Sequence, residues 1–268
     1  MNLRTTGPHA WRAALISIAT LPPQTSQATI VDFQTVMGTF EVNLSDNLTP
    51  AAVANFLEYV HNGDYTSSVI HRSVPGFVIQ GGGFTYDMAL PLGDVPARPA
   101  VVNEPDYSNV RGTIAMAKLG GDPNSATSQW FFNLADNAAN LNGQNGGFTV
   151  FGEVVGDGMD VVDAIAGLPV YNFSGATSEL PLRNYTATDF SNGVTVDDNH
   201  LVLISAIIVS DSTVDSAAGL NPPANTSNEP DGPTLDGNGG GGGGAFGLLG
   251  LLTLALSGGV KLAKRSQR

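Results

Sequence analysis

Residues 69–85 of the 268-residue chain read VIHRSVPGFVIQGGGFT, and few backbone arrangements suit them. Val69 and Ile70 lead in as a strand. Pro75 and Gly76 then impose a turn, because proline presets φ and glycine accepts φ > 0. Phe77, Val78 and Ile79 return as a second strand. The hairpin brings Arg72, Phe77 and Gln80 together beside Gly81, Gly82 and Gly83, whose missing side chains let backbone or ligand approach closely. Two readings follow: a surface hairpin whose arginine makes a solvated ion pair, or a site in which these side chains act on a ligand.

The flanking sequence predicts further strands. Residues 30–35 and 39–44 alternate apolar and polar around Met37 and Gly38, a hairpin pattern. Thr49 and Pro50 read as the N-cap and first residue of a helix, with Val53, Phe56, Leu57 and Val60 on one face and Gly63 closing it. Residues 86–106 read as a long surface loop, and residues 111–117, 128–134 and 150–154 as strands. A short helix is expected over 159–165 and a buried final strand over 200–209. Residues 168–199, with several turn formers and aromatics, fit neither neighbour and read as an insertion. The expected fold is mainly β, with mostly antiparallel strands and two helices, which suits a closed barrel capped at its ends.

Charge and composition narrow the functional classes. All 24 carboxylates lie between Asp32 and Asp236, while residues 29–244 hold five cations: Arg72, Arg98, Arg111, Lys118 and Arg183. Such a surface repels nucleic-acid phosphates. Cysteine is absent, so there is no disulfide framework and no cysteine nucleophile. The four histidines lack metal-ligand spacing, and neither metal nor cofactor is expected.

The string from Val69 to Thr85 closely resembles the HR-x-x-PGF-x-x-QGGD-F-T signature of the cyclophilin family of peptidyl-prolyl isomerases. Further family blocks follow over residues 112–118, 124–133, 148–153 and 158–162, in family order. The resemblance covers roughly residues 29–209 and implies an antiparallel barrel, no cofactor, and proline-containing polypeptides as substrates of a monomer. It implies Arg72 as the arginine donating to the prolyl amide, Phe77 as the base of the proline pocket, and Gln80 as a substrate-binding glutamine that also holds the arginine. Val78 takes the place of a common methionine, giving a shallower wall. Ala117 and Lys118 fall on the strand whose backbone pairs with the peptide. Gln129, Phe131, Leu141 and Phe148 match further binding positions, and Asn140 replaces a tryptophan that many members use to hold cyclosporin. A cyclophilin-like peptide-binding module or holdase without relevant turnover is the alternative.

Both ends lie outside the resemblance. Residues 1–28 read as a secretory signal, with Arg4 and Arg12 before a short apolar run and a small-x-small site at Ser26 and Ala28. Residues 211–244 read as a disordered linker ending in six glycines. Residues 245–268 read as an apolar helix followed by Lys261, Lys264, Arg265 and Arg268. This ending resembles a GlyGly-CTERM sorting signal of Gram-negative bacteria, cleaved in that family by a rhomboid-like protease. A plain membrane anchor is the alternative, and both imply an exported domain in the cell envelope.

Overall fold

The computed structural model of the protein describes residues 29–88, 90–212 and 223–228. The strands are β1 (Ile30–Thr35), β2 (Gly38–Leu44), β3 (Ser68–Val69), β4 (Arg72–Val74), β5 (Val78–Gly81), β6 (Phe84–Thr85) and β7 (Gly93–Asp94). They continue as β8 (Thr113–Met116), β9 (Trp130–Asn133), β10 (Val150–Val154), β11 (Val170–Tyr171), β12 (Leu180–Pro181) and β13 (Leu203–Asp211). The helices are α1 (Pro50–His61), α2 (Ala138–Leu141), α3 (Gly158–Ala166) and α4 (Ala187–Asn192). Of the four, α1 and α3 are the two that the sequence predicts.

Eleven strands form one antiparallel sheet in the order β4-β5-β9-β8-β10-β2-β1-β13-β3-β6-β7, and β11 pairs with β12 separately. The sheet curls into a half-barrel and does not close, which corrects the closed barrel expected from sequence. The reason lies at one bend. Residues 68–74 start beside β13 and end beside β5. At the bend Ile70 N donates to Val202 O and His71 N to Gln80 O, so β3 and β4 are joined through the chain and not through a ladder.

The concave side holds the main core. Phe33 stacks on Phe40 at 5.0 Å, while Trp130 and Phe132 meet Phe33 edge-on at 5.2 and 5.4 Å. Helix α1 adds Val53, Phe56 and Val60, all buried, with Leu57 packed at the margin. A second apolar cluster forms on the other face of β5, β8 and β9, and a third joins residues 168–199 to the sheet. In the third, Leu180, Leu182 and Tyr185 pack with Val69, Tyr86 and Leu201.

Several local expectations change. Residues 86–106 contain β7 and a buried Val95, so the loop is anchored rather than free. Strand β13 is buried on one face only, with Ile208 exposed on the other. Within the expected linker, Pro223–Asn228 lie on the domain: Ser108 N donates to Pro223 O, and Asn225 Nδ2 to Pro105 O and Asn142 O. The expected signal, glycine run and C-terminal apolar helix lie outside the described residues. Among the described residues no helix is long and apolar enough to cross a membrane.

Helix α1 starts where expected but is capped differently. Thr49 makes no side-chain cap bond, and its hydroxyl finds no partner among the described residues. Instead the Glu104 carboxylate accepts from Ala51 N at 3.1 Å and Ala52 N at 3.0 Å, bringing negative charge to the positive end of the helix dipole. Replacing Glu104 by alanine is expected to cost about 1–2 kcal/mol in urea denaturation, whereas Thr49→Val is expected to be neutral within about 0.5 kcal/mol. The reverse order would return the cap to the threonine.

Candidate active site

Ladder register builds the site. Arg72 lies opposite Gln80, Gln80 opposite Phe131, Phe131 opposite Ala115, and Ala115 opposite Val150. Directly opposed residues share a face, so these five form one row across five strands. Residues two steps along share the same face, which adds Val78 and Gln129. The intervening residues, Ile79, Trp130, Phe132 and Ile114, point the other way into the main core.

The apolar part of this face is a buried cluster of Val78, Ala115, Ala117, Phe131, Leu141, Phe148 and Val150, with Phe77 and Tyr107 packed at its margin. Phe131 and Phe148 meet edge-on at 5.7 Å. All the apolar residues expected from sequence gather here. Ala115, Val150 and Tyr107 were not foreseen. The signal for Ala115 and Val150 was their period-2 spacing from Ala117 and Phe148.

The polar part is a wired chain. Gln80 Nε2 donates to Gln129 Oε1 at 2.8 Å, and Arg72 Nη1 to Gln80 Oε1 at 3.4 Å. Arg72 Nε donates to Glu179 Oε2 at 2.7 Å. Arg72 is 7% exposed. A guanidinium has five N–H donors, so three remain for a ligand. Glu179, from the segment read as an insertion, was missed because nothing local links residues 107 positions apart.

The glycines serve packing. A Cβ on Gly81 would lie 2.6 Å from the Trp130 ring, and one on Gly83 would lie 2.6 Å from Gln129 Nε2. The close approach expected beside them is made by the protein's own side chains. Gly83 thereby leaves room for Gln129 in its bonded position.

The Lys118 side chain has a structural job of its own, beside the backbone role that the resemblance implies. Its ammonium is buried, donating to Asn103 Oδ1 at 3.1 Å, to Asn145 O at 2.9 Å and to Gly147 O, and it sits 4.8 Å above the Phe148 ring. Burial pushes its pKa down to about 8, against the attraction of Asp122. It therefore staples the loop that carries Phe148. A buried amide network supports the other wall: Asn137 Nδ2 donates to Phe77 O at 2.9 Å and to Asn133 Oδ1 at 2.8 Å, and Asn109 Nδ2 to Phe148 O at 3.0 Å. Asn140 is exposed on α2.

A buried apolar cluster flanked by a fixed cation and two linked amides can bind a neutral ring at its margin and donate to an adjoining amide. It holds no nucleophile, and the described residues include no group of acidic and histidine side chains able to hold a metal. Residues 30–187 match the family described as cyclophilin type peptidyl-prolyl cis-trans isomerase/CLD. The chain belongs to the cyclophilin family. This cyclophilin is 41% identical over 146 residues to the peptidyl-prolyl cis-trans isomerase of Acinetobacter baylyi, covering 54% of this chain and 76% of the relative. It is 43% identical over 148 residues to peptidyl-prolyl cis-trans isomerase A of Dickeya dadantii, covering 54% and 75%. Against peptidyl-prolyl cis-trans isomerase B of Escherichia coli the identity is 40% over 156 residues, covering 57% and 92%.

Beside the arginine of this cyclophilin, His71 is fully buried with its ring edge-on to Phe84 at 4.9 Å. Burial first, then the Arg72 charge, push its pKa down to about 3, against a hydrogen bond with the Val69 backbone. The unfolded chain protonates this ring near pH 6.5. Between about pH 6.5 and 3 the unfolded state therefore binds the extra proton, and stability falls as the pH drops, by at most ~1.4 kcal/mol per unit. Urea midpoints measured from pH 6.5 to 5 should fall less steeply for His71→Leu than for the wild type. Equal slopes would show that His71 is not the acid-sensitive group.

Proposed function

We propose that Arg72, Phe77 and Gln80 form the catalytic centre of a peptidyl-prolyl cis-trans isomerase, with Val78, Ala117, Lys118, Gln129, Phe131, Leu141 and Phe148 binding the substrate, Lys118 through its backbone while its side chain holds the loop behind Phe148. The observation that carries this reading is that a buried guanidinium, two linked glutamines and a buried apolar cluster share one sheet face. Rotation about an X–Pro amide faces a barrier of ~18–20 kcal/mol, set by resonance of the nitrogen lone pair with the carbonyl. No bond has to break, so the site needs only to bind the twisted amide more tightly than either planar form.

The apolar cluster, at the margin where Phe77 packs, takes the proline ring, and the free N–H groups of Arg72 face the amide as its nitrogen pyramidalises. A donor fixed in place before the reaction pays no reorganisation cost when it is needed. Gln80 serves twice, tying Arg72 to Gln129 and facing the peptide backbone. Arg72→Ala is expected to lower kcat/KM on an X–Pro peptide at least tenfold, about 1.4 kcal/mol of lost transition-state binding, with the circular dichroism unchanged. Full activity in the folded variant would sink the mechanism.

The clients are proline-containing polypeptides outside the cytoplasm. Support comes from the signal-like residues 1–28 and from the glycine run, apolar stretch and basic end of residues 239–268. Glycine in a helix costs ~1 kcal/mol relative to alanine, and the apolar stretch itself carries Gly247, Gly250, Gly258 and Gly259. A stretch of this composition suits removal by an intramembrane protease. The mature protein then ends near the glycine run. The intact mass of protein from the native host decides this: a species still carrying residues 245–268 would make the tail a permanent anchor.

A further inference from the structure

We infer that Glu179 is a positioning residue for the catalytic arginine, supplied by the segment of residues 168–199 that lies beyond the signature hairpin. The inference rests on the catalytic reading of Arg72. Glu179 is attached at two points. Its backbone carbonyl accepts from Ser73 N at 2.7 Å, next to the arginine in β4, and its Oε2 accepts from Arg72 Nε at 2.7 Å. The main-chain contact sets the distance between the segment and β4. The side-chain contact can then fix the guanidinium plane.

The support behind Glu179 is stiff. Leu180 and Leu182, the next outward residues, are buried at 2% and 0% exposure in the third cluster. Strand β12 pairs with β11, Leu182 bridges to Leu201, and Leu182 N donates to Pro169 O. Tyr171 Oη donates to Tyr185 O at 3.0 Å. Helix α4 is closed by a reciprocal capping box between Thr186 and Asp189. The carboxylate therefore extends from a packed platform, and the segment acts as a strut against the catalytic strand.

The contact is made to Nε and leaves Nη2 clear. An arginine side chain is long and flexible, and the torsions nearest the guanidinium decide where its N–H groups aim. Binding Nε stops rotation about those torsions, whereas the 3.4 Å contact to Gln80 alone is long. Losing Glu179 would leave the cation present but poorly aimed. It would also raise the local positive charge, which on electrostatics alone favours binding. The two effects have opposite signs, so substitution separates them.

The test uses the full-length chain with an X–Pro peptide under conditions that give kcat and KM separately. Glu179→Ala is expected to lower kcat five- to tenfold with KM within twofold. Glu179→Gln keeps an acceptor for Nε–H and is expected to stay within threefold of wild type. The Arg72 Nε–H resonance, assigned by its loss in Arg72→Lys, should be slowly exchanging in wild type and in Glu179→Gln. In Glu179→Ala it should be exchange-broadened or shifted. Wild-type kcat in a folded Glu179→Ala, with Arg72→Ala impaired, would overturn the positioning role alone. Full activity in Arg72→Ala would overturn both this role and the catalytic reading beneath it. A fall in kcat with an unmoved Nε–H signal would assign the loss to the fold of the segment and also overturn the proposal.

Discussion

The register between β5 and β9 decides what this protein can do. A strand turns over with every residue, so a slip of one position would put Phe132 where Phe131 stands and Ile79 where Gln80 stands. The main core would lose its largest rings and the apolar cluster would lose Phe131. Several contacts prevent the slip. Gly81 faces Trp130, and only a residue without a side chain fits there. Gly83 accommodates Gln129 in the same way. Beyond the strands, Leu134 N and Asn137 Nδ2 both hold Phe77 O. Core and site are opposite faces of one ladder, and each constrains the other.

Charges in this acidic chain are spent locally. Arg98 pairs with Glu58 and Asp64, Arg111 with Asp163, and Arg183 binds the carbonyls of Leu201 and Asp198. The Arg111 pair is about half exposed on both sides, and such pairs contribute little. Arg72 differs in being buried. Burying a guanidinium costs several kcal/mol of lost hydration, and a partner carboxylate only partly repays that. A buried pair is a poor way to gain stability. It is a good way to hold a cation in a fixed orientation where water is scarce, and that is what a site for a twisted amide needs.

The sequence carried the hairpin, helix α1 and most of the pocket, because these rest on local patterns. Pro75 with Gly76 dictates a turn whatever surrounds it, and Val53, Phe56 and Val60 share a face at any burial. What escaped rests on distant partners. Glu104 caps a helix some 50 residues upstream, Lys118 bonds to backbone carbonyls 27 and 29 residues away, and Glu179 reaches Arg72 across 107. None of these has a local spacing to read. The closed barrel failed for a related reason: the bend at Ile70 and His71 looks like continuous strand in sequence, and only the change of partner there opens the ladder. Asn225 sits in a stretch whose composition signals a linker. Its amide nevertheless satisfies two carbonyls, one in the loop that carries Tyr107 and one at the end of α2 beside Leu141.

In the proposed mechanism the ion pair of Arg72 and Glu179 also sets the charge balance that a neutral substrate meets. Arg72 alone in a buried position would carry the cost of its lost hydration with no partner to offset it. With Glu179 on Nε the pair is close to neutral overall, and only a directional field remains, pointing from the carboxylate through the guanidinium to its free N–H groups. A neutral amide enters without disturbing that balance. As its nitrogen loses conjugation and gains a lone pair, it becomes a better acceptor for those same N–H groups. Interaction then grows along the rotation coordinate and not on binding, which is the condition for a faster isomerisation instead of a tighter complex.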